Sequence, residues 1–243
     1  MKIVIDIETI PDQTPNAIEL IMEDLVVKAP DLTKPKLIDL LGLDQKEGKF
    51  KTIAELKELW LSENEHTAKR EQAEEKWLKT SFDGGKGQIC CVVMQFIETG
   101  VVAKISGSEE NILNNINEVI KDNSRQSNNS VKPYFIGHNS ISFDIPFLHK
   151  RFVINNIKPE FELVAHARHG VNAFDTMTEW AGYNGRISMD NLAKTLGIAG
   201  KTDGMDGSQV WPEYQKGNIQ KIVDYCEDDV LCTSEIYKRL TFK

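Results

Sequence analysis

No apolar stretch in this 243-residue chain approaches the roughly 20 residues a membrane-spanning helix needs, and no charged-then-apolar leader pattern precedes the first strand. The expectation is a soluble, cytoplasmic protein that does not enter a membrane. Cysteine is scarce as well. The four thiols, Cys90, Cys91, Cys226 and Cys232, provide no disulfide framework, and none combines with a histidine pair at zinc-like spacing, so buried thiols are the simpler reading. Positive charge is also in deficit: 29 Lys and Arg against 37 Asp and Glu leave a net charge of −8. That balance argues against a high-affinity, non-specific binder of nucleic acid, because phosphate neutralisation supplies most such affinity. The chain does have hydrophobic content, 40%, enough for a core in one large domain or a domain carrying an insertion.

Carboxylates cluster in three segments far apart in sequence. Asp6 and Glu8 lie in Lys2-Ile3-Val4-Ile5-Asp6-Ile7-Glu8-Thr9, an apolar β-branched run that reads as a buried strand, so positions two apart face one side. Two acids side by side at a buried strand end repel each other and lose hydration unless a proton or cation neutralises them. Oxygen-only ligands select a hard ion, Mg²⁺ or Mn²⁺. The second segment runs from Gly137 to Leu148, where the strand candidate Tyr134-Phe135-Ile136 ends in a polar loop and a helix begins near Asp144. Read alone, Ser142 is an N-cap there and Asp144 a first-turn acid that favours the helix dipole. In the third, Asp224-Tyr225-Cys226-Glu227-Asp228-Asp229, Tyr225 and Asp229 share one face of a helix from about Ile219 to Leu240. Asp224, Glu227 and Asp228 point elsewhere and read as solvated or structural, and Asp175 reads as a strand-end cap or a supporting acid.

In this order and on these element types, Asp6-Ile7-Glu8, Asn139 through Asp144, and Tyr225 through Asp229 resemble the DnaQ-like 3′-5′ exonucleases. The subgroup is the one whose signature is Asp-x-Glu, Asp, then Tyr-x-x-x-Asp, and the nearest likeness is to stand-alone proteins related to the proofreading exonuclease domain of family B DNA polymerases. Ala173-Phe174-Asp175-Thr176-Met177 and Ser188 through Ile198 resemble the stretch between the second and third motifs. The resemblance covers Met1 to Asp12 and about Gln88 to Leu240. It implies an α/β, ribonuclease-H-like fold with a mixed five-stranded sheet flanked by helices. It also implies a two-metal site in which Asp6 bridges the ions, Glu8 and Asp229 complete the position that binds the attacking water, and Asp144 holds the second ion. Tyr225 would orient that water, since an ordinary phenol titrates near pH ~10 and suits hydrogen bonding better than proton removal. Asn139 would contact the terminal nucleotide or brace its loop. The implied partners are single-stranded DNA 3′ ends and replication or repair proteins. Two alternatives stay open: an exoribonuclease, or a non-catalytic nucleic-acid-binding or replication-accessory module that kept the fold.

The expected organisation is one exonuclease domain, 1–243, with a helical insertion at 11–87. Thr14-Pro15 reads as an N-cap and first-turn proline, Thr52-Ile53-Ala54-Glu55 as a capping box, Glu63 to Thr80 as a separate charged helix, and Asp83 to Gly87 as the return to the sheet. A hairpin, Gln88 to Ile97 and Val101 to Ser106, precedes an amphipathic helix started by Ser108, and Asp122 to Ser130 reads as an exposed loop. For phosphate contact the candidates are Lys150 and Arg151, with Lys158, Arg168, His149, His166 and His169, which outnumber Glu160 and Glu162; Lys201 is a weaker candidate.

Overall fold

The computed structural model describes residues 1–124, 131–199 and 205–243. Lys201 and most of the expected 122–130 loop lie outside these described residues. Strand β1 is Lys2–Ile10. Four helices follow: α1, Ala17–Glu23; α2, Lys34–Leu40; α3, Gln45–Lys49; and α4, Ile53–Leu78. Next come β2, Gln88–Phe96, β3, Val102–Ser106, and α5, Glu109–Asp122, and then β4, Tyr134–Gly137, α6, Asp144–Ile154, and β5, Ala173–Asp175. The remaining helices are α7, Thr176–Ala181; α8, Met189–Thr195; α9, Val210–Gln215; and α10, Ile219–Leu240, and short 3-10 turns occupy Lys79–Phe82 and Gly207–Gln209.

Met1–Asp12 and Thr80–Lys243 form one compact unit, and Gln13–Lys79 form a second. In the second unit the Thr52–Glu55 capping box forms as expected, with the Glu55 carboxylate held below its usual range by the Thr52 backbone N–H and then its hydroxyl. Two expectations there are corrected. The helix begun at Ile53 runs unbroken to Leu78, so the charged stretch after Glu63 is its continuation and not a separate helix. Nothing between the two segments supplies a Gly or Pro break, and i,i+4 pairs such as Lys69 with Glu65 and Arg70 with Glu74 support the exposed turns. In α1 the N-cap is Asn16, in the left-handed conformation at φ 62°, and Thr14 instead offers its carbonyl to Ala17 N.

The first unit is built on a mixed five-stranded sheet in the order β3-β2-β1-β4-β5, as the family resemblance implied. β1 lies at its centre, antiparallel to β2 and parallel to β4, and β4 is parallel to β5. Alternation along β1 sorts its side chains by layer. Ile3, Ile5 and Ile7 pack under α5 and α6 with Ile112, Leu113, Ile116, Phe147, Leu148 and Phe152. Val4 and Ile10 face the other layer, with Val93, Ile136 and the α10 residues Ile222, Val223, Cys226 and Val230. Asp6 and Glu8 interrupt that second, apolar face. Among the described residues no helix is long and apolar enough to cross a membrane.

Candidate active site

The even-numbered face of β1 carries Asp6 and Glu8 toward α10. There the i,i+4 spacing of Tyr225 and Asp229 presents both side chains to the same place, and the tyrosine hydroxyl donates a hydrogen bond to the Asp229 carboxylate. Asp144 arrives by a different route. The β1–β4 ladder stops at Val4 opposite Ile136, and beyond it the Ile7 N–H donates to Asp144 Oδ1 at 3.1 Å. Gly137 lets the chain double back after β4, because a Cβ there would lie 2.3 Å from Ser140 Cβ. Asn139 then takes a left-handed φ of 65°, and α6 opens on Asp144 itself. Its N-cap is Phe143 with no side-chain cap, so the expectation that Ser142 caps α6 is corrected; Asp144 serves as a tether to β1 instead. The four acids meet at the carboxyl ends of parallel strands, where open α/β sheets place their ligands.

The electrostatics follow from this crowding. Burial, then repulsion from Asp144, Glu8 and Asp229, holds the Asp6 carboxyl well above its ordinary range. Asp144 is 4% exposed and is pushed up to about 7, mainly by burial and further by Asp175 and Asp229, against the relief given by Ile7 N–H. Tyr225 is also raised, by burial first and then by Asp229, Glu8 and Asp6, so its phenol stays protonated and acts as a donor. Among the described residues no lysine or arginine pairs with Asp6 or Asp144. The donor set is therefore all-oxygen, negatively charged and short of a counter-charge, which fits hard divalent cations. Asp6, Glu8 and Cys226 also have potential ligand atoms within 4.8 Å of one another. The Cys226 thiol, however, lies 3.3 Å from Asp6 Oδ2 and 3.4 Å from its backbone oxygen and is raised well above its usual value by burial, so it donates to Asp6 as a protonated thiol. That support for Asp6 was not apparent from sequence, where Cys226 reads only as a buried thiol.

Asp175 is the second residue whose part was underread. It caps α7 through Met177 N–H and Thr178 N–H, both 3.0 Å from Oδ1, and the same carboxylate accepts Asn139 N–H at 3.1 Å and Ile141 N–H at 3.2 Å. At 1% exposure it is a buried staple between α7 and the loop that delivers Asp144. A strand-end acid before a helix signals the cap; its hold on a loop 36 residues earlier carries no local signal.

The phosphate candidates fare unequally. Asn139 sits beside the site, its Oδ1 buried without a hydrogen-bond partner. Lys150 is exposed and 3.2 Å from Asp83. Arg151 is a correction: its guanidinium is buried, donates to Glu109 at 2.8 and 2.6 Å and to Gly84 O at 3.3 Å, and is not presented to a substrate. Lys158 and Arg168 are exposed, and His149 and His166 are not drawn into the carboxylate cluster. His169 pairs with Glu179 and accepts Asp175 N–H, while His138 bonds Thr176 and Ile187 O. Glu227 is paired with Lys104 and Asp224 accepts from Gln220, in keeping with their reading as structural or solvated acids.

No curated protein matches the chain. A family model described as a predicted 3′-5′ exonuclease related to the exonuclease domain of PolB matches residues 87–243. β1 precedes the matched segment, yet it forms the centre of that segment's sheet and contributes Asp6 and Glu8. The chain belongs to this family of predicted 3′-5′ exonucleases related to the PolB exonuclease domain.

Proposed function

We propose that this chain is a metal-dependent 3′-5′ exonuclease of the subgroup with the Asp-x-Glu, Asp, Tyr-x-x-x-Asp signature, acting on single-stranded DNA 3′ ends to release nucleoside monophosphates. The observation that carries this reading is the convergence of Asp6, Glu8, Asp144 and Asp229 from three separate elements, without lysine or arginine pairing Asp6 or Asp144, in a chain of an exonuclease family. We take 1–243 as one exonuclease domain with 11–87 as an insertion, and replication or repair proteins as its partners.

The four carboxylates would hold two divalent cations, Mg²⁺ or Mn²⁺, which would supply stabilisation of the negative charge on the attacking and departing oxygens of a phosphodiester. The protein's own groups do the rest. Tyr225, its one O–H donated to Asp229, accepts from the attacking water through its phenolic oxygen and orients it on the phosphorus. Water adds to phosphorus as the bond to the 3′ oxygen breaks, giving a 5′-monophosphate and a strand one nucleotide shorter with a 3′ hydroxyl. Asn139, whose buried Oδ1 has no hydrogen-bond partner, and exposed Lys150 are our candidates for contact with the terminal nucleotide and its phosphate.

The test incubates 5′-labelled single-stranded DNA and RNA of one sequence with Mg²⁺ or Mn²⁺, with EDTA as control. A ladder on DNA shortening from the 3′ end, silent in EDTA, is expected. Preferential shortening of RNA would change the substrate class, and an intact substrate with folded, metal-supplied protein would defeat the reading. Tyr225→Phe keeps the ring and loses the hydroxyl, so its single-turnover rate is expected to fall about 10- to 100-fold, the scale of one hydrogen bond to a charged group. An undiminished rate would remove Tyr225 from the machinery.

A further inference from the structure

The strand next to β1 departs from simple alternation where it passes the acids. Glu8 pairs with Cys91 and Thr9 with Ile89, so Cys90 is an extra residue in β2, the mark of a β-bulge. Successive side chains of a regular strand face opposite layers, yet Cys90 and Cys91 both pack in the layer of Val4, Val93 and α10. Cys226 of α10 belongs to the same layer. Three thiols thus gather against the strand that carries Asp6 and Glu8, and none is in a disulfide. Their contacts are specific. Cys90 Sγ lies 3.3 Å from Glu8 O, and Cys226 Sγ lies 3.3 Å from Asp6 Oδ2 and 3.4 Å from Asp6 O. The Cys91 thiol in turn donates to Cys226.

A buried cysteine packs well as a small apolar side chain and needs no carboxylate beside it. Here a sulfur and two carboxylates meet: ligand atoms of Asp6, Glu8 and Cys226 all lie within 4.8 Å of one another. The set has a double character. Hard Mg²⁺ and Mn²⁺ take the carboxylates and leave the thiol protonated, whereas Zn²⁺, and Cd²⁺ as its softer congener, accept sulfur together with oxygen. We infer that Asp6, Glu8 and Cys226 form a site for a thiophilic divalent cation of the Zn²⁺ or Cd²⁺ class, which takes both carboxylates from the hard ions and arrests hydrolysis. On binding, the Cys226 S–H bond breaks, its electron pair forms the sulfur–metal bond, and the proton passes to water. No oxidant is needed. The Cys91 thiol then donates to a coordinated sulfur, the kind of support that partners of metal ligands give. The arrest rests on the nuclease reading above; binding of the cation does not.

The test titrates the metal-stripped full chain with Cd²⁺ and with Mg²⁺ while the ultraviolet charge-transfer absorption of a thiolate–cadmium bond is followed. Stoichiometric Cd²⁺ is expected to raise this band in the wild type and in Cys232→Ser, whose sulfur lies in a different apolar cluster, but not in Cys226→Ser. Mg²⁺ should raise none. In Mg²⁺-supported hydrolysis of 5′-labelled single-stranded DNA, Zn²⁺ is expected to arrest the wild type. Cys226→Ser, compared with its own zinc-free rate, should need about 10- to 100-fold more Zn²⁺, the range for loss of a partner at a metal site. A band that persists in Cys226→Ser, no band in the wild type, or equal zinc sensitivity of the two proteins would overturn the inference. Should Cys226→Ser fail to fold, cadmium NMR of the wild type decides: a shift for mixed sulfur and oxygen donors sustains the site, and an all-oxygen or all-sulfur shift overturns it. A Cd²⁺ band in a protein that hydrolyses neither DNA nor RNA would sustain the site and defeat the nuclease; Mg²⁺-dependent hydrolysis with no band would do the reverse.

Discussion

Asp6→Asn is expected to reduce phosphodiester hydrolysis by about a thousandfold or more, several kcal/mol of transition-state stabilisation, because it removes the most crowded charge of the acid cluster. The same change should make the metal-free protein more stable. Asp6 is held well above its ordinary carboxyl range and Asp144 near 7, so the folded state binds more protons than the unfolded chain, in which these groups titrate near ~4. The stability from Asp144 is complete below about pH 4 and is lost as pH rises through about 7, and that from Asp6 is lost as pH rises through its own raised value. At pH 8 without metal the wild type carries the buried, mutually repelling acids, and Asp6→Asn should melt at the higher temperature. The gap should close toward pH 5. Adding Mg²⁺ or Mn²⁺ should reverse the ranking by stabilising only the wild type, since a cation that binds the folded state shifts unfolding by mass action. Thermal unfolding by circular dichroism at pH 5 and 8, with EDTA or metal, checks this. An Asp6→Asn protein that keeps its activity and gains no stability would contradict both the metal site and its electrostatics.

Arg151→Ala is expected to destabilise the fold by about 3–5 kcal/mol, the cost of stranding a buried charge. Glu109 and Arg151 side chains are 7% and 6% exposed, and the Glu109 carboxylate also receives Ile89 N–H at 2.8 Å and Asn155 Nδ2 at 3.0 Å. One ion pair thus joins the starts of α5 and β2 to α6 and, through Gly84 O, to the loop bearing Phe82. Arg151→Lys keeps the charge but not the planar fork, so it should lie between wild type and alanine. A double change of Arg151 and Glu109 to leucine should cost less than the two single changes added, because neither charge is then left alone. Urea unfolding of the wild type, the two single leucine variants and the double variant measures the coupling; strictly additive losses would mean that the pair contributes nothing as a pair.

Legibility in the sequence tracked the range over which each feature is decided. The β-branched alternation of β1, the hairpin, the Thr52–Glu55 box and the 3.6-residue period of Ile219–Leu240 are local, and each was readable. The motif order also identified segments that the fold brings to one place. Arg151 was misread because only Glu109, 42 residues earlier, consumes its guanidinium, and charge counting within 149–169 cannot register that partner. Asp175 looked like a cap because a cap is local, whereas its bond to Asn139 N–H follows from β4 and β5 lying side by side. The false helix boundary near Glu63 came from treating a change of composition as a change of conformation.

The position of β1 also bears on synthesis. Asp6 is translated near the start of this chain and its supporting thiol, Cys226, 220 residues later, with the 13–79 unit emerging in between. Its antiparallel neighbour begins only at Gln88, and Asp229 stands in the last helix. A nascent chain on the ribosome therefore cannot assemble the acid cluster until nearly all of this sequence has emerged, and such non-local pairing makes folding slow. The acid cluster can form only after α10 has emerged, and its appearance would report that the central strand has found both of its neighbours.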